Sequence, residues 1–362
     1  LRNLNVVAAT CNTNYKKLEK IRLRYNVKKI GINNSLAAKK YISSYGRNRN
    51  LIIGNENFSK LITKDIDVII LAISGLSPLS ISLDILRSGK LLGLANKECI
   101  ISLGPRLISL AKKYKTKIIP LDSEHNSIYR LLELNNKKFK SITITASGGP
   151  FLNKKISFLK NVTPKQAIKH PVWKMGKKIS VDSATMMNKA LEIIEAKYLF
   201  DLSNDQINAV IHPESIIHAS INFDDSTSIC LLSKPDMKIP LTYLLNYKSN
   251  TNNMNEFDNI FNQLDKKKLT FYKINPIKVP AIKLAYEVLD IGGLAPHIFN
   301  YNNEFLVNKF LLKQIKFTDI VRFNKITIRK FFKYNKNVLY PNFRDLHNAN
   351  VWINKNIFLG KI

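Results

Sequence analysis

Several side chains within residues 170–196 have types and spacings that could do chemistry. In the second half of this segment apolar residues recur at helical spacing, which predicts an amphipathic helix. On another face of that helix, Asn188, Glu192 and Glu195 repeat at i, i+4 and i+7. Lys189 is close to Glu192 on the same helix, so an amide, an ammonium and carboxylates project together. This combination suits a charged or strongly polar ligand.

The residues before this helix also indicate ligand binding. Asp182 and Ser183 stand where an N-cap is expected, and the free N–H groups and hydroxyl of a helix start bind anions. Trp173 and Met175 are large apolar residues in a polar stretch ahead of Gly176, as in a mobile lid that closes over a ligand. The alternative is a solvated face of ion pairs, which is the commoner role of Lys and Glu at this spacing.

A second set of carboxylates follows an apolar run in the sequence LDSEH. If the chain stays extended there, the i, i+2 spacing places Asp122 and Glu124 on one side. With Glu192 they would form an all-oxygen set, which suits Mg²⁺ or Mn²⁺ better than zinc. His125 comes next, but a single His after a strand more often packs or hydrogen-bonds, so the predicted metal shell omits it.

In the first third of the chain, short apolar runs alternate with helical patterns, which predicts an α/β fold with a doubly wound parallel sheet. The predicted strands are 5–9, 28–32, 67–74, 90–96 and 116–121. Ligands of such sheets bind at the carboxyl ends of the strands, where Ser74, Asn96 and Asp122 fall. No glycines form G-x-G-x-x-G and the chain begins with Leu1, so we expect the first strand and its phosphate loop to lie upstream.

The rest of the chain predicts a central α+β region and a C-terminal helical bundle. A strand is predicted at 140–147 and a glycine turn at 147–150. The β-like runs at 208–223 and 226–232 would pair with each other in an antiparallel or mixed sheet suited to dimerisation. The predicted C-terminal helices are 279–289, 302–315, 319–332 and 342–355. The predicted domains are a nucleotide-binding domain 1–121, a catalytic and dimerisation domain 122–245 with a flexible flap at about 147–177, a linker 246–273 and a helical domain 274–362.

Composition restricts the class of protein. The chain has 362 residues, 45% of them hydrophobic, and no apolar run long enough for a membrane span. Its 57 Lys and Arg against 26 Asp and Glu give a formal charge of +31, which makes nucleic-acid binding an alternative hypothesis. The basic residues are mostly Lys, dispersed without an Arg-rich stripe, so specific nucleic-acid recognition is not expected. Three scattered cysteines, Cys11, Cys99 and Cys230, fit a reducing compartment.

Six motifs resemble those of the 1-deoxy-D-xylulose 5-phosphate reductoisomerase family, in that family's order and spacing. They are ANKEC (95–99), PLDSEHNSIY (120–129), TASGGPF (145–151), residues 170–196, IHPESIIH (211–218) and KPDMKIP (234–240). The sequence LAYEVLDIGGLAPHIFNYNNE (284–304) also resembles the helical domain of the family. The resemblance therefore extends over nearly the whole chain, with the N-terminal strand and glycine loop of the family expected upstream.

The resemblance implies an NADPH-dependent oxidoreductase of the non-mevalonate isoprenoid pathway. Such an enzyme uses Mg²⁺, Mn²⁺ or Co²⁺ and converts 1-deoxy-D-xylulose 5-phosphate to 2-C-methyl-D-erythritol 4-phosphate. It implies a Rossmann-like NADPH domain, a homodimer, a phosphosugar as the small-molecule partner and no membrane partner. A cytoplasmic location is expected, or a plastid if an upstream segment is a transit peptide. An inactive relative of the family is a further alternative.

The resemblance also implies roles for individual residues. The implied metal ligands are Asp122, Glu124 and Glu192, and the implied catalytic residues are Lys97, Glu124 and Glu192. The implied substrate-binding residues are Lys97, Ser123, Glu124, Ser147, His170, Ser183, Asn188, Lys189 and Glu192. The implied NADPH-binding residues are Asn12, Asn96, Glu98 and Gly176, and the implied lid residues are Trp173 and Met175. The family's A-G-K-N sequence is Ala9-Thr10-Cys11-Asn12 here, which lacks the glycine and the lysine.

Overall fold

The computed structural model describes residues 4–46, 50–135, 137–170, 176–247, 260 and 268–358. The chain divides into two compact units. Unit one comprises Leu1–Asn96, Ser109–Ile119 and Leu245–Asn255, and unit two comprises Lys97–Ile108, Pro120–Leu244 and Glu256–Ile362. The predicted domain boundaries at residues 121, 245 and 273 stay predictions.

Unit one is built on short parallel strands, as the alternation of apolar and helical patterns predicts. One sheet has the order β1 (Ala8–Cys11), β2 (Lys29–Ile32), β3 (Leu51–Ile53), and the other has the order β4 (Val68–Leu71), β5 (Leu91–Leu94), β6 (Ile118–Pro120). The pairs β1–β2, β2–β3 and β4–β5 are parallel. The α/β class with a Rossmann-like parallel N-terminal region is thereby confirmed.

Two helices of unit one, α1 (Tyr15–Arg24) and α2 (Ser35–Tyr45), begin at side-chain caps. α3 (Leu79–Arg87) and the 3-10 helix at Asn55–Leu61 begin without one. Asn14 accepts a hydrogen bond from the Lys17 backbone N–H, and Asn34 accepts one from Ala37. Each of these two caps, on α1 and α2, satisfies a backbone donor that the helix leaves unpaired. The apolar faces of α1 and α2 pack on β2 through Leu18, Tyr41 and their neighbours.

Unit two contains a mixed sheet with the order β10-β9-β7-β8. Its strands are β7 (Ser141–Ala146), β8 (Ile207–Ile211), β9 (Ile217–Asn222) and β10 (Ser228–Leu232). β7 and β8 run parallel, whereas β9 is antiparallel to both β7 and β10. The two β-like runs of the sequence therefore pair with each other and with the predicted strand at 140–147.

Helices surround this sheet and form the C-terminal bundle. They are α5 (Ser123–Leu134), α6 (Ile156–Leu159), α7 (Pro164–Ala167), α8 (Lys177–Ala184), α9 (Met187–Phe200), α11 (Pro280–Ile291), α12 (Ala295–Leu311), α13 (Asp319–Tyr334) and α14 (Phe343–Phe358). α4 (Lys97–Lys113) bends at Gly104 and Pro105, and α10 (Lys238–Asn246) follows β10. A further 3-10 helix covers Asn204–Gln206. None of the described helices combines the length and apolarity needed to cross a membrane.

One hydrophobic core joins α8 to the C-terminal helices. Its buried members are Phe151, Leu159, Val162, Ala167, Val181, Ala184, Leu306, Val307, Phe310, Phe317 and Ile320. Full burial of a large apolar side chain contributes roughly 1.5–3 kcal/mol. The described part of the predicted flap thus supplies buried side chains to the core beneath α8, and its motion stays a prediction.

Candidate metal and phosphate site

Asp122 and Glu124 reach the site from the first turn of a helix, and the extended geometry expected for LDSEH is wrong. Asp122 has extended backbone angles at the N-cap position, and α5 begins at Ser123 directly after β6. The Asp122 and Glu124 carboxylates still lie close together, because both side chains come from the start of this helix. The helix dipole favours negative charge at that end.

A short non-helical turn separates α8 from α9, so the prediction of one continuous helix from residue 183 is wrong. Asp182 and Ser183 lie inside α8, not at an N-cap. Met186 lies between the helices in the left-handed region, with φ of 60°, and its side chain is buried. The turn there redirects the chain before Asn188, Lys189 and Glu192. Left-handed backbone costs a non-glycine residue free energy and is held by surrounding structure.

Three carboxylates converge as the sequence predicts. Ligand oxygens of Asp122, Glu124 and Glu192 all lie within 4.8 Å of one another. Lys189 Nζ is 2.6 Å from Glu124 Oε1 and also contacts Glu192. Lys97 Nζ is 2.7 Å from Asp122 Oδ2 and 3.5 Å from Glu192 Oε1. The carboxylates from α5 and α9 are therefore connected by two ammonium groups.

Burial makes the electrostatics of this cluster strong. Glu192 is 1% exposed, and desolvation together with repulsion from Asp122 and Glu124 raises its pKa to about 7. Burial alone would raise the pKa of Asp122, but the Lys97 ammonium outweighs it and holds this pKa well below its usual range. Burial opposes the charge of Lys97 and Lys189 as well, yet the facing carboxylates raise both pKa values. Both lysines therefore stay protonated at neutral pH.

The donor set fits a divalent cation. The three clustered side chains offer only carboxylate oxygens, which Mg²⁺ and Mn²⁺ prefer. When ionised, these carboxylates carry more charge than the ammonium groups of Lys97 and Lys189 that contact them. One divalent cation would offset that excess and relieve the repulsion that raises the pKa of Glu192.

Two histidines lie beside the cluster: His125, which the sequence predicts to pack or hydrogen-bond outside the metal shell, and His218, for which no role was predicted. His125 is fully buried, with Nε2 2.9 Å from the Glu192 carbonyl oxygen and Nδ1 3.5 Å from Glu195 Oε2. Burial opposes its protonation, but Glu195 and Asp122 raise its pKa to about 9. His218 on β9 is buried, and burial lowers its pKa, although the nearby Glu124 charge opposes this. The second His of IHPESIIH was the available signal for His218.

The predicted phosphate-binding residues fall into two groups. Ser147 follows β7, and its Oγ is 3.3 Å from His170 Nε2. Gly149, with φ of +65°, packs so closely on α8 that a Cβ there would lie 2.8 Å from the Ser183 carbonyl oxygen. The loop after β7 is thus seated against the residue that carries the second predicted hydroxyl.

The second group, on α9, contacts the carboxylate cluster. Asn188 Oδ1 accepts a hydrogen bond from Lys97 at 2.9 Å, and the Asn188 amide donates to Glu192. Ser123 Oγ donates to Glu124 Oε2 at 2.6 Å, so it orients the carboxylate as well as facing the site. Metal-binding and phosphate-binding candidates are therefore continuous along the start of α9.

The predicted cofactor residues lie at the ends of strands and helices. In unit one, Asn12 follows β1, and Asn96 follows β5 with its amide donating to the carbonyls of Ile73 and Gly75 at 2.7 and 2.9 Å. In unit two, Glu98 lies in the first turn of α4 and Gly176 is the N-cap of α8. Positions after parallel strands suit a nucleotide. The predicted lid residues Trp173 and Met175 lie outside the described residues.

Comparison with known proteins gives a consistent result along the chain. A model of 1-deoxy-D-xylulose 5-phosphate reductoisomerase matches residues 2–104. A model of the 1-deoxy-D-xylulose 5-phosphate reductoisomerase C-terminal domain matches residues 118–200, and one of the DXP reductoisomerase C-terminal domain matches residues 232–355.

Individual relatives match over most of their length. The 1-deoxy-D-xylulose 5-phosphate reductoisomerase of Clostridium novyi is 38% identical over 331 residues, covering 90% of this chain and 85% of the relative. That of Sulfurihydrogenibium sp. is 44% identical over 290 residues, covering 79% and 74%.

Two solved structures of such enzymes also match nearly the whole of this chain. The Zymomonas mobilis enzyme in complex with NADPH matches with a TM-score of 0.85 and 31% identity, covering 97% of this chain and 92% of that one. A DOX-P reductoisomerase in complex with NADPH, fosmidomycin and magnesium matches with a TM-score of 0.85 and 30% identity, covering 98% and 91%.

Proposed function

The chain belongs to the 1-deoxy-D-xylulose 5-phosphate reductoisomerase family, and from that premise we propose that the described cluster is its active site. The protein is an NADP-dependent oxidoreductase that converts 1-deoxy-D-xylulose 5-phosphate to 2-C-methyl-D-erythritol 4-phosphate in the non-mevalonate isoprenoid pathway. The observation that carries the assignment of the site is the convergence of Asp122, Glu124 and Glu192 on the ammonium groups of Lys97 and Lys189.

Asp122, Glu124 and Glu192 would hold the divalent cation. When bound, Mg²⁺ or Mn²⁺ supplies Lewis-acid stabilisation of negative charge on the substrate oxygens. Glu124, like Asp122, is partly exposed whereas Glu192 is buried, and Ser123 fixes one Glu124 oxygen by the 2.6 Å hydrogen bond. That anchored carboxylate is placed to accept and return a substrate proton.

Lys97 and Lys189 donate to different carboxylates of the cluster, Lys97 to Asp122 and Lys189 to Glu124. Both are ammonium groups at neutral pH because the surrounding carboxylates raise their pKa values. On substrate binding, Lys97 would donate to substrate oxygens, and Lys189 with Asn188 would donate to the phosphate. Charge-assisted hydrogen bonds of this kind are roughly twice as strong as neutral ones.

Ser147, His170 and Ser183 would complete the phosphate site. Burial lowers the pKa of His170, so at neutral pH its imidazole is a neutral donor or acceptor beside the Ser147 hydroxyl. NADPH, which supplies the hydride, is proposed to contact Asn12, Asn96, Glu98 and Gly176. Trp173 and Met175 are proposed to cover the substrate and exclude water.

A homodimer formed through the mixed sheet is part of this proposal. β10 is one of the two outer strands in the order β10-β9-β7-β8, and its Ile229 is 47% exposed. Exposed apolar side chains on an outer strand favour pairing with another chain. A cytoplasmic location is proposed as well, since the relatives are bacterial enzymes.

Turnover tests the function directly. The purified protein is mixed with NADPH and 1-deoxy-D-xylulose 5-phosphate, and NADPH oxidation is followed by absorbance. We expect oxidation with Mg²⁺ or Mn²⁺, its loss on chelation, and its return when the ion is restored. A protein that binds Mn²⁺ yet oxidises no NADPH with this substrate would refute the proposed function.

A further inference from the structure

The C-terminal sequence LAPHIFNYNNE contains a residue that contacts α8 directly. Asn303 on α12 is fully buried, and its Nδ2 donates to Asp182 Oδ1 at 2.7 Å. Asp182 is itself buried in the second turn of α8. A carboxylate in such a place needs partners because its removal from water costs several kcal/mol.

The second oxygen of Asp182 also has a donor. Lys178 Nζ lies 3.1 Å from Asp182 Oδ2, one helical turn earlier, and 3.7 Å from Glu98 Oε1. Asp182 therefore receives an amide from α12 and an ammonium from its own helix. The same ammonium links α8 to the first turn of α4, which begins with Lys97.

Apolar packing supports the same face of α8. Val181 and Ala184 pack in one core with Leu306 and Val307 of α12. Polar and apolar contacts together fix the rotation of α8 about its axis, since successive residues on a helix point about 100° apart. With Asp182 turned to α12, the next residue, Ser183, remains half-buried and adjoins the Gly149 loop.

We propose that Asp182 is a positioning residue for the phosphate site, held by Asn303 and Lys178. Its carboxylate fixes the orientation at which α8 presents the Ser183 hydroxyl. The C-terminal helices thereby take part in substrate binding through α12, although Asn303 does not touch the substrate. This inference rests on the proposed function, because Ser183 is a phosphate ligand only in that assignment.

A positioning role and a purely structural role predict different kinetics. If Asp182 acts through Ser183, its loss weakens phosphate binding while metal binding and the chemical step persist. The KM for the phosphosugar then rises while kcat changes little. If the pair only stabilises the fold, unfolding becomes easier and the KM stays constant.

The test compares Asp182→Asn and Asn303→Ala with a matched control, Asn302→Ala. Asn302 is equally buried on α12, but its amide donates to Asn324 on α13 at 3.2 Å. We expect about a tenfold higher KM in D182N and N303A, the effect of losing one hydrogen bond to a charged group, with kcat within about threefold and unchanged Mn²⁺ affinity. N302A should lower the melting temperature and keep the KM.

Exchanging the carboxylate and the amide between positions 182 and 303 tests the contact between Asp182 and Asn303. Asn303→Asp alone places two carboxylates in contact and should raise the KM further, whereas D182N with N303D restores an amide–carboxylate pair and should recover much of the loss. Equal KM values for wild type, D182N and N303A would overturn the inference.

Inorganic phosphate separates this inference from the proposed function. If the wild type showed no turnover, the proposed function would fail, and the affinity for inorganic phosphate by calorimetry would still decide the role of Asp182. Weaker phosphate binding in D182N than in N302A supports it, and equal binding refutes it.

Discussion

Lys189 is the side chain that connects the two predicted halves of the site. Its ammonium bonds to Glu124 of α5 and to Glu192 of its own helix, and it is buried. In the protein without a cation, it compensates charge that the cation would otherwise balance. The same lysine is proposed to meet the substrate phosphate, so metal and substrate act on one group.

Replacing Lys189 by Gln tests whether its ammonium compensates the charge of the neighbouring carboxylates. Breaking a buried ion pair leaves an uncompensated charge, so we expect a loss of about 3 kcal/mol in the free energy of unfolding without a divalent ion. Mn²⁺ should then stabilise K189Q more than it stabilises the wild type, because the cation replaces the missing charge. Denaturant unfolding with and without Mn²⁺ measures both effects.

Lys325→Gln is the matched control, since Lys325 pairs with Glu287 at 2.8 Å and both side chains are 33% exposed. An ion pair that water reaches contributes at most about 1 kcal/mol. A K189Q protein that loses no more stability than K325Q would contradict the compensating role of Lys189.

The convergence of the three carboxylates could be predicted from the sequence, whereas the contacts that support them could not. Asp122, Glu124 and Glu192 belong to recognisable motifs. The contacts of His125 with Glu195 and of Asn303 with Asp182 depend on how α5, α8, α9 and α12 pack, and separations of 70 and 121 residues leave no local pattern.

At the scale of elements, the site depends on the close packing of the loop after β7 against α8. Gly149 permits this approach in two ways: it adopts a positive φ, and it has no Cβ to meet the Ser183 carbonyl. The loop and α8 each carry one predicted phosphate hydroxyl, Ser147 and Ser183. The spacing of these hydroxyls therefore depends on the glycine at position 149.

Gly149→Ala should both destabilise the protein and weaken substrate binding. The positive φ alone costs about 1 kcal/mol for alanine, and the Cβ contact displaces the loop. Gly46→Ala is the matched control, since Gly46 has φ of +82° and a Cβ added there would have nothing within 4 Å. We expect a lower melting temperature in both variants and a raised KM for the phosphosugar only in G149A; equal KM values would contradict this packing role.

Element types were more predictable than element boundaries. Parallel strands in unit one and the C-terminal helices follow from apolar spacing. The turn at Met186 between α8 and α9 was not predicted, because Met is an ordinary helix residue and neither Gly nor Pro marks the turn. The helical start at Ser123 was missed because the apolar run before it favours continued extension. In both cases tertiary packing decides the local backbone.

At the scale of the whole molecule, His297 links three helices of unit two. It lies on α12, with Nδ1 3.0 Å from Ser102 Oγ of α4 and Nε2 2.8 Å from Asn350 Oδ1 of α14. Burial lowers its pKa from 6.5 to about 4. The folded protein therefore keeps this imidazole neutral where the unfolded chain would protonate it.

This difference predicts a loss of stability in acid. Above pH 6.5 the imidazole is neutral in both states, and as the pH falls towards 4 only the unfolded state gains the proton. The shift corresponds to roughly 3 kcal/mol of unfolding free energy. His297→Gln should lose less stability than the wild type between these pH values, whereas the exposed His347→Gln should follow the wild type. Denaturant unfolding at several pH values measures this, and parallel curves for wild type and H297Q would contradict it.

The formal charge of +31 is the remaining property of the whole molecule. Dispersed lysines predict weak association with nucleic acid that falls steeply with salt concentration. They also attract anionic small molecules such as a phosphosugar and NADPH. The charge therefore agrees with the enzymatic assignment without requiring a nucleic-acid partner.

The Mn²⁺ dependence of NADPH oxidation in the wild type and in Glu192→Gln tests the central claim most directly. Glu192 is the carboxylate that joins α9 to the cluster, and its loss removes one of three proposed ligands. We predict Mn²⁺-dependent turnover of 1-deoxy-D-xylulose 5-phosphate by the wild type and by the control Glu287→Gln, which removes a carboxylate paired with Lys325 instead. E192Q should need at least about tenfold more Mn²⁺ and turn over far more slowly. Turnover by E192Q at the wild-type rate and the same Mn²⁺ concentration would contradict the claim that these carboxylates form the active site.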